Sequence, residues 1–291
     1  MSLPAPARPD SSAQADERLT AERDETKYLV PADQLGALAR ELAERLPEHR
    51  FTGEGANRLP DPHHFVTTVY FDTPTQVHYR AALGSVEHNV KVRAKEYYDV
   101  HPSLAELATD ASQIVRYDPW IWFELKRKDG GRTSKRRFRL PKRDVPVLLA
   151  GGNVDVDALS RSEPWHEELA PAVHDLVWHC EQLGEPLAAS AVVSYRRLSF
   201  QEPAGALRVT IDVGLCFYAP PADLWTRNRP LVRSTLGRAS GAEPRAVVEV
   251  KRRAAVPTWL TQALERAGVA PVQFSKFVAA MGAIHGQAVA R

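Results

Sequence analysis

Residues 86–97 read VEHNVKVRAKEY, and apolar side chains alternate with charged or polar ones along this stretch. A β-strand directs successive side chains to opposite faces, so the alternation predicts a strand with one apolar and one ionic face. The apolar face would hold Val86, Val90, Val92 and Ala94, and the ionic face Glu87, Asn89, Lys91, Arg93 and Lys95. In most antiparallel sheets such a polar face meets water, so this stretch alone does not reveal a function.

Four further segments show the same alternation. Their charged positions are Glu25 and Lys27, then Glu124, Lys126 and Lys128, then Arg208 and Asp212, and finally Glu249, Lys251 and Arg253. Together with residues 86–97, and leaving out Glu87, these faces carry nine basic and four acidic side chains, against a net charge of +2 for the whole chain. If the sheet closes, a polyanion in its lumen would neutralise the bases, and a hard divalent cation would suit the carboxylates. On the residues alone, a solvated charged face stays possible.

The composition excludes several classes of protein. The chain has 291 residues, of which 44% are hydrophobic, so it can bury a substantial core. Its small net charge gives no overall basic field, and we expect no nucleic-acid partner. No run approaches the roughly 20 apolar residues that span a bilayer, and two isolated cysteines, Cys180 and Cys216, exclude a disulfide framework. We therefore expect a cytoplasmic protein without a membrane segment.

Strand and helix signals indicate one domain of about eight antiparallel strands with peripheral helices, an α+β fold. The strand patterns fall at 25–30, 66–72, 86–97, 120–128, 132–140, 191–200, 206–213 and 245–253. Helix patterns occupy a leucine-striped segment after Pro31, residues 155–183 and two segments near the C-terminus. We interpret residues 53–64 as a loop and residues 1–22 as a disordered tail.

Nine short motifs in order carry a resemblance to a known family. They are Glu25-Thr26-Lys27-Tyr28, Tyr70-Phe71-Asp72-Thr73, Lys91-Val92-Arg93-Ala94-Lys95-Glu96-Tyr97, Phe123-Glu124-Leu125-Lys126, Thr133-Ser134-Lys135-Arg136-Arg137, Tyr195-Arg196-Arg197-Leu198-Ser199-Phe200, Arg208-Val209-Thr210-Ile211-Asp212, Glu249-Val250-Lys251 and Phe274-Ser275-Lys276-Phe277. Over residues 23–285 the chain resembles the polyphosphate polymerase domain of the vacuolar transporter chaperone (VTC), which belongs with the CYTH proteins to the triphosphate tunnel metalloenzymes. The resemblance implies a closed, antiparallel, eight-stranded β-barrel that forms a triphosphate tunnel, followed by a short tail at 286–291.

The resemblance also implies roles for the ionic residues. Catalytic contacts to phosphate oxygens would come from Lys27, Arg93, Lys95, Lys126, Arg197 and Lys276, and further phosphate contacts from Lys91, Arg137, Arg208 and Lys251. A metal ion, Mn²⁺ or Mg²⁺, would be held first by Glu249, with Glu25, Glu124 and Asp212 as weaker candidates. Each carboxylate could instead form a salt bridge that holds a lysine or arginine in place. Phosphoryl transfer suits such residues, because it needs charge neutralisation and in-line positioning more than covalent chemistry.

Two departures from the family pattern bear on the reaction. CYTH phosphatases and cyclases open with ExExK, whereas this sequence has Arg23 at the first glutamate position, which favours the VTC branch and removes one potential metal ligand. Lys95 stands where the family has a second arginine, and it keeps the charge but gives up bidentate phosphate geometry. We expect a polyphosphate polymerase acting on a nucleoside triphosphate and polyphosphate. A tunnel triphosphatase and a non-catalytic sensor of polyphosphate or inositol phosphates stay as alternatives.

Other motifs and residue types carry less information. The P-loop motif GxxxxGK[ST] is absent from the sequence, so we expect no P-loop nucleotide site. Five histidines show no metal-ligand spacing, and we expect loop or surface positions for them: His63, His64, His78, His88 and His101. His174 and His179 lie on the predicted central helix and need no function. For the tryptophans we expect positions in the core or on the exterior of the barrel; they include Trp120, Trp122, Trp165 and Trp178.

Overall fold

The computed structural model describes residues 24–49, 63–85, 87–98, 117–130, 132–150 and 169–286. Several sequence predictions lie outside these residues: the tail at 1–22, Arg23, most of the loop at 53–64, the start of the helical region at 155–168, and residues 287–291.

Within the described residues, nine strands form one antiparallel sheet. They are β1 (Asp24–Val30), β2 (His63–Asp72), β3 (Asn89–Tyr98), β4 (Trp120–Asp129), β5 (Arg132–Pro141), β6 (Ala188–Gln201), β7 (Leu207–Tyr218), β8 (Gly241–Glu243) and β9 (Ala246–Arg252). Eight strands follow the order β1-β9-β7-β6-β2-β3-β4-β5, and the short β8 pairs with β7. With helices at its periphery, this large antiparallel sheet confirms the predicted α+β class.

The sheet is strongly curved. Lys126 of β4 and Glu25 of β1 lie on strands near opposite ends of the sheet order, yet their Nζ and Oε2 atoms are 3.6 Å apart. One face of the sheet is therefore concave. The pairings among the described residues leave β1 and β5 as edges, so closure of the sheet into a barrel stays a prediction.

Seven α-helices pack around the sheet in the described part of the chain. They are α1 (Ala32–Arg45), α2 (Val77–Gly84), α3 (Val145–Leu149), α4 (Leu169–Leu183), α5 (Arg233–Leu236), α6 (Thr258–Arg266) and α7 (Lys276–His285). Leu38 and Leu42 of the predicted leucine stripe are buried, and they pack with α6 against the convex side of β7 and β9. None of the described helices has the length and apolar character needed to cross a bilayer.

Helix α7 lies on the concave face. Phe277 packs with Tyr195 and Val247, each of which is two residues before an ionic residue of the same strand. The Phe277 ring also stacks on Tyr70 at 5.0 Å between centroids. The Ser275 hydroxyl caps the helix by accepting a hydrogen bond from the Val278 N–H at 3.4 Å. The helix thus covers the apolar end of the concave face and begins next to its charged end.

Several boundaries differ from the sequence prediction for identifiable reasons. Strand β2 begins at His63 instead of after a loop that ends at 64, and His64 is buried within it. Strand β7 extends to Tyr218, beyond the predicted end at 213. Gly214 has φ 61° there, and the register between β6 and β7 shifts nearby, so a bulge interrupts the side-chain alternation that the prediction followed.

The loop or surface position expected for His78 is wrong, because His78 forms a buried pair with His179. The Nε2 atoms of His78 and His179 are 2.9 Å apart, so one must donate and the other accept, which requires at least one neutral ring. His78 is 2% exposed, and its Nδ1 lies 3.2 Å from the Phe71 carbonyl oxygen. Burial lowers the pKa of both rings, that of His179 to about 4. The pair therefore joins α4 to the segment after β2 in its neutral form.

The histidine pair should make the fold sensitive to acid. Because the folded state depresses the pKa from about 6.5, the stabilisation is complete above pH 6.5 and is lost as the pH falls towards 4. Asp72, whose Oδ1 is 3.5 Å from His78 Nδ1, offsets part of this loss, whereas Arg127 disfavours protonation of His179. Between pH 7 and 4.5 the free energy of unfolding should fall by about 2–3 kcal/mol more in the wild type than in a His78→Phe/His179→Leu variant. Urea unfolding at the two pH values measures this difference.

The exposed His174 on the same helix supplies the control, because His174→Gln should keep the wild-type pH dependence. Equal pH dependence in the wild type and the double variant would contradict this account.

A buried ion pair ties the turn after β5 to β3. Lys142 and Glu96 are 3% and 4% exposed and form a salt bridge, while Glu96 Oε2 accepts a hydrogen bond from the Leu231 N–H at 2.9 Å. Removing one partner of such a pair leaves an uncompensated buried group, so Lys142→Met should lower the free energy of unfolding by about 3–5 kcal/mol. A Glu96→Leu/Lys142→Met variant should recover much of it. Urea unfolding of the three proteins tests this, and an unchanged Lys142→Met midpoint would refute it.

Candidate functional site

The strand registers place most of the ionic residues predicted from alternation on the concave face, whereas Arg253 lies beyond the end of β9 and is exposed. The cross-strand neighbours are Glu25 and Lys251, Lys27 and Glu249, Lys91 and Lys126, Arg93 and Glu124, Glu124 and Arg137, Arg197 and Asp212, and Arg208 and Lys251. We call this charged part of the concave face the ionic face. Lys276, the first residue of α7, joins it from outside the sheet through its contacts with Asp212 and Glu249.

Asp212 is the centre of one charge cluster. Its two carboxylate oxygens accept hydrogen bonds from Nε and a terminal nitrogen of Arg197 at 2.6 and 2.7 Å. Lys276 Nζ lies 2.7 Å from Oδ2, and Asp212 itself is fully buried. Burial alone would raise the pKa of Asp212, but Arg197 and Lys276 hold it below its usual value. Of the two roles open from the sequence, this geometry favours an anchor for cations over a metal ligand.

Glu124 has a similar arrangement on the same concave face, on strand β4 instead of β7. Its oxygens lie 2.7 Å from Arg93 Nε, 3.4 Å from Lys95 Nζ and 3.7 Å from Arg137 Nε. The carboxylate is 2% exposed, and the cations outweigh the effect of burial, so its pKa lies well below the usual range. A short hydrogen bond from an arginine, with two further cations nearby, leaves this carboxylate little capacity for a metal ion. Glu124 therefore also has the geometry of an anchor.

Glu249 and Glu25 are the carboxylates placed differently. Glu249 Oε1 is 3.1 Å from Lys276 Nζ, and its Oε2 is 3.4 Å from Lys251 Nζ. Lys251 Nζ also lies 3.9 Å from Oε2 of Glu25, so one amine stands between the two carboxylates. Glu25 is partly exposed and contacts Lys27 at 3.2 Å. These two side chains are the ones on the ionic face that could turn towards a cation entering with a ligand.

A metal site made by protein alone is not evident in the part of the chain that the structure describes. No group of three or more His, Cys, Asp or Glu side chains there is arranged to hold a metal ion. Mg²⁺ is commonly bound by one or two carboxylates, with phosphate oxygens and water completing the coordination. The pair Glu25 and Glu249 fits that kind of site, in which the ligand brings part of the coordination sphere.

Basic side chains dominate the ionic face. Burial lowers the pKa of Lys91 to about 7, and Lys27 and Lys126 add to the effect by repulsion. Burial likewise lowers the pKa of Lys126 to about 8 and that of Lys135 to about 8. These shifts show that the local negative charge does not fully compensate the buried amines. An anionic ligand would supply the missing charge.

Lys135 was not among the predicted site residues, although it lies in the motif Thr133-Ser134-Lys135-Arg136-Arg137. It lies on β5 directly opposite Lys126, on the same side as Arg137. With Lys135 included, the candidate residues number eleven basic and four acidic side chains, so the described site has a clear positive excess. The alternation within 132–140 contained this signal, because Lys135 and Arg137 occupy alternate positions on the strand.

Aromatic rings contact several of these cations. The Arg137 guanidinium carbon lies 3.7 Å from the centre of the Trp122 ring. Trp122 is 9% exposed, in agreement with the buried position expected for it, and the alternation in 120–128 places its ring on the side of Glu124 and Lys126. Tyr195 lies under both Arg197, at 5.4 Å, and Lys276, at 5.1 Å. By contrast, Trp178 is 56% exposed, as expected for an exterior residue, and Trp165 lies outside the described residues.

Comparisons with known proteins agree with the motifs. The family model of the VTC domain matches residues 22–285, and no curated protein matches the sequence. Among solved structures, a candidate adenylyl cyclase from Hippeastrum, described as having a dominant triphosphatase activity, is 13% identical, with 92% of this chain and 97% of that chain covered and a TM-score of 0.47. A candidate adenylate cyclase from Bacillus halodurans is 12% identical, with coverages of 87% and 95% and a TM-score of 0.45. Both are distant similarities, and the assignment rests on the sequence match: the chain belongs to the VTC domain family.

Proposed function

We propose that this chain is a metal-dependent polyphosphate polymerase that transfers the γ-phosphate of a nucleoside triphosphate to a polyphosphate chain. The observation that carries the proposal is the excess of partly buried lysine and arginine side chains on the ionic face. Burying unpaired cations is unfavourable, and a linear chain of phosphates is a ligand that can neutralise many of them at once. Membership of the VTC domain family supports the same class of ligand.

The curvature of the sheet supports a tunnel around this ligand. The contact between Lys126 and Glu25 brings side chains from distant strands across the concave face. We propose that the sheet encloses the ionic face as a lumen, with α7 covering its apolar end. A phosphate chain inside would be largely shielded from water, which strengthens each charge interaction.

Two anchored arginines suit the transferring phosphate. Arg93 is hydrogen-bonded to Glu124 and Arg197 to Asp212, so both guanidinium groups are held before a ligand arrives. Fixed donors of this kind stabilise developing charge without reorganisation. Lys27, Lys126 and Lys276 would add charge along the phosphate chain as flexible donors. Lys95 is placed beside Glu124 to neutralise charge without offering a fork of donors.

A divalent cation, Mn²⁺ or Mg²⁺, would be held by Glu249 and Glu25 together with phosphate oxygens. When bound, it would supply Lewis-acid neutralisation of charge on the phosphate oxygens as the bond between the γ-phosphorus and its leaving oxygen breaks. Glu249 would orient the cation, while Lys251, between the two carboxylates, would move towards the phosphates. Arg23, in place of the glutamate that opens CYTH phosphatases, favours polymerisation over hydrolysis.

The first test is the reaction itself. Purified protein with ATP and Mn²⁺ should form long polyphosphate, resolved on a gel, and Glu249→Gln should lower turnover by about 10²–10³-fold because an ionic contact to the transition-state assembly is lost. Glu243→Gln is a matched control. Glu243 is not part of the ionic face, and its Oε1 atom lies 2.7 Å from Nε of Arg245.

Free phosphate as the sole product would favour a triphosphatase instead. Tight polyphosphate binding without turnover would favour a sensor, and no metal-dependent consumption of any triphosphate would refute both enzyme functions.

A second test separates anchoring carboxylates from metal ligands. Because Arg197 and Lys276 occupy both oxygens of Asp212, Asp212→Asn should change the Mn²⁺ concentration for half-maximal turnover by less than about threefold. Glu249→Asp, which keeps the charge but shortens the side chain, should raise that concentration by about 10–100-fold. Turnover is measured across a Mn²⁺ titration, with thermal unfolding to check the fold. A larger metal effect in Asp212→Asn than in Glu249→Asp would overturn the assignment.

A further inference from the structure

Arg137 is held differently from the other two arginines at the centre of the ionic face. Arg197 makes two short hydrogen bonds to Asp212, and Arg93 makes one of 2.7 Å to Glu124. The nearest carboxylate contact of Arg137 runs from Nε to Glu124 at 3.7 Å, which is too long for a hydrogen bond. Its guanidinium group also lies over an aromatic ring, with the guanidinium carbon 3.7 Å from the centre of Trp122.

The register explains why Trp122 can reach Arg137. Trp122 is directly opposite Arg139, and Arg137 is two residues further along the same face of β5, at the diagonal distance that large side chains bridge. Trp122 is only 9% exposed, so the contact is mostly shielded from water. Cation–π contacts strengthen under such conditions. Tyr97, at 5.6 Å from the same guanidinium, adds a second ring.

Stacking leaves the donors of the guanidinium available. A carboxylate that binds an arginine in a fork occupies the N–H groups that a phosphate would need, whereas an aromatic ring contacts the flat face and leaves the edge free. In agreement with this, Arg137 Nε is buried and donates no hydrogen bond within the described residues. The arginine is thus fixed in orientation and still has donors for a ligand.

We propose that Trp122 is a positioning residue that holds the Arg137 guanidinium edge-on to the phosphate chain. The inference rests on the proposed function, since it concerns the same anionic ligand. Trp122 itself would not contact the reacting atoms. It would fix the orientation of Arg137 in the free protein, so that little side-chain freedom is lost when phosphate binds.

The test is a double-mutant cycle on binding. Dissociation constants for inorganic tripolyphosphate are measured calorimetrically in EDTA, so that no turnover occurs. Trp122→Leu and Arg137→Ala should each weaken binding about tenfold, and the double variant should be no weaker than the Arg137→Ala protein. Trp122→Phe, which keeps an aromatic face, should retain most of the affinity.

An exterior pair supplies the matched control. Trp178 lies 5.8 Å from Arg127 on the outside of the sheet, and Trp178→Leu should leave the affinity unchanged.

Two outcomes would overturn the proposal. One is wild-type affinity in a folded Trp122→Leu protein, and the other is a double variant in which the effects of the two single changes multiply. If Trp122→Leu does not fold, the tripolyphosphate affinity of Arg137→Lys tests the proposal instead. An amine can neither stack flat on the ring nor offer a fork of donors, so an unchanged affinity in Arg137→Lys would also overturn the proposal. A wild type that binds tripolyphosphate neither in EDTA nor with Mn²⁺ would refute the proposed function as well.

Discussion

Partly buried like charges are the constraint on which the rest of this structure depends. Lysine and arginine side chains from seven strands and one helix converge on a single concave face, where their mutual repulsion opposes folding. Two buried carboxylates make this possible. Asp212 neutralises Arg197 and Lys276, and Glu124 neutralises the cations of β3 and β5. Because both carboxylates lie below the charged surface, the face as a whole keeps a positive excess for a ligand.

The helix α7 connects the hydrophobic core to this charge arrangement. Its apolar residues pack on the concave face beside Tyr70 and Val247, and that packing fixes where the helix begins. Lys276 is its first residue, so the position of the amine between Asp212 and Glu249 follows from the burial of Phe277 next to it. Apolar packing in this way determines the geometry of an ionic cluster that charge interactions alone would leave flexible.

The carboxylates of the ionic face divide into two groups by what surrounds them. Asp212 and Glu124 are saturated with cations and are almost inaccessible, which suits the positioning of phosphate-binding groups before a ligand arrives. Glu25 and Glu249 share Lys251, and their closest contacts are lysines instead of hydrogen-bonded arginines; Glu25 is also about a quarter exposed. This division accounts for how one surface could carry both a strong attraction for phosphate and a place for a divalent cation.

The sequence by itself determined the strands, the ionic face and the family, because side-chain alternation and motif order are local properties. It placed Arg93 with Lys91 and Glu249 with Lys251 without any knowledge of the fold. Only the tertiary structure decided which carboxylates act as anchors, since Asp212 meets Lys276 across 64 residues and Glu25 meets Lys126 across about a hundred. The sequence likewise did not predict three contacts: Trp122 with Arg137, His78 with His179, and Lys142 with Glu96. Each depends on strand order and sheet curvature, which arise from the packing of distant segments and leave no periodic trace in the chain.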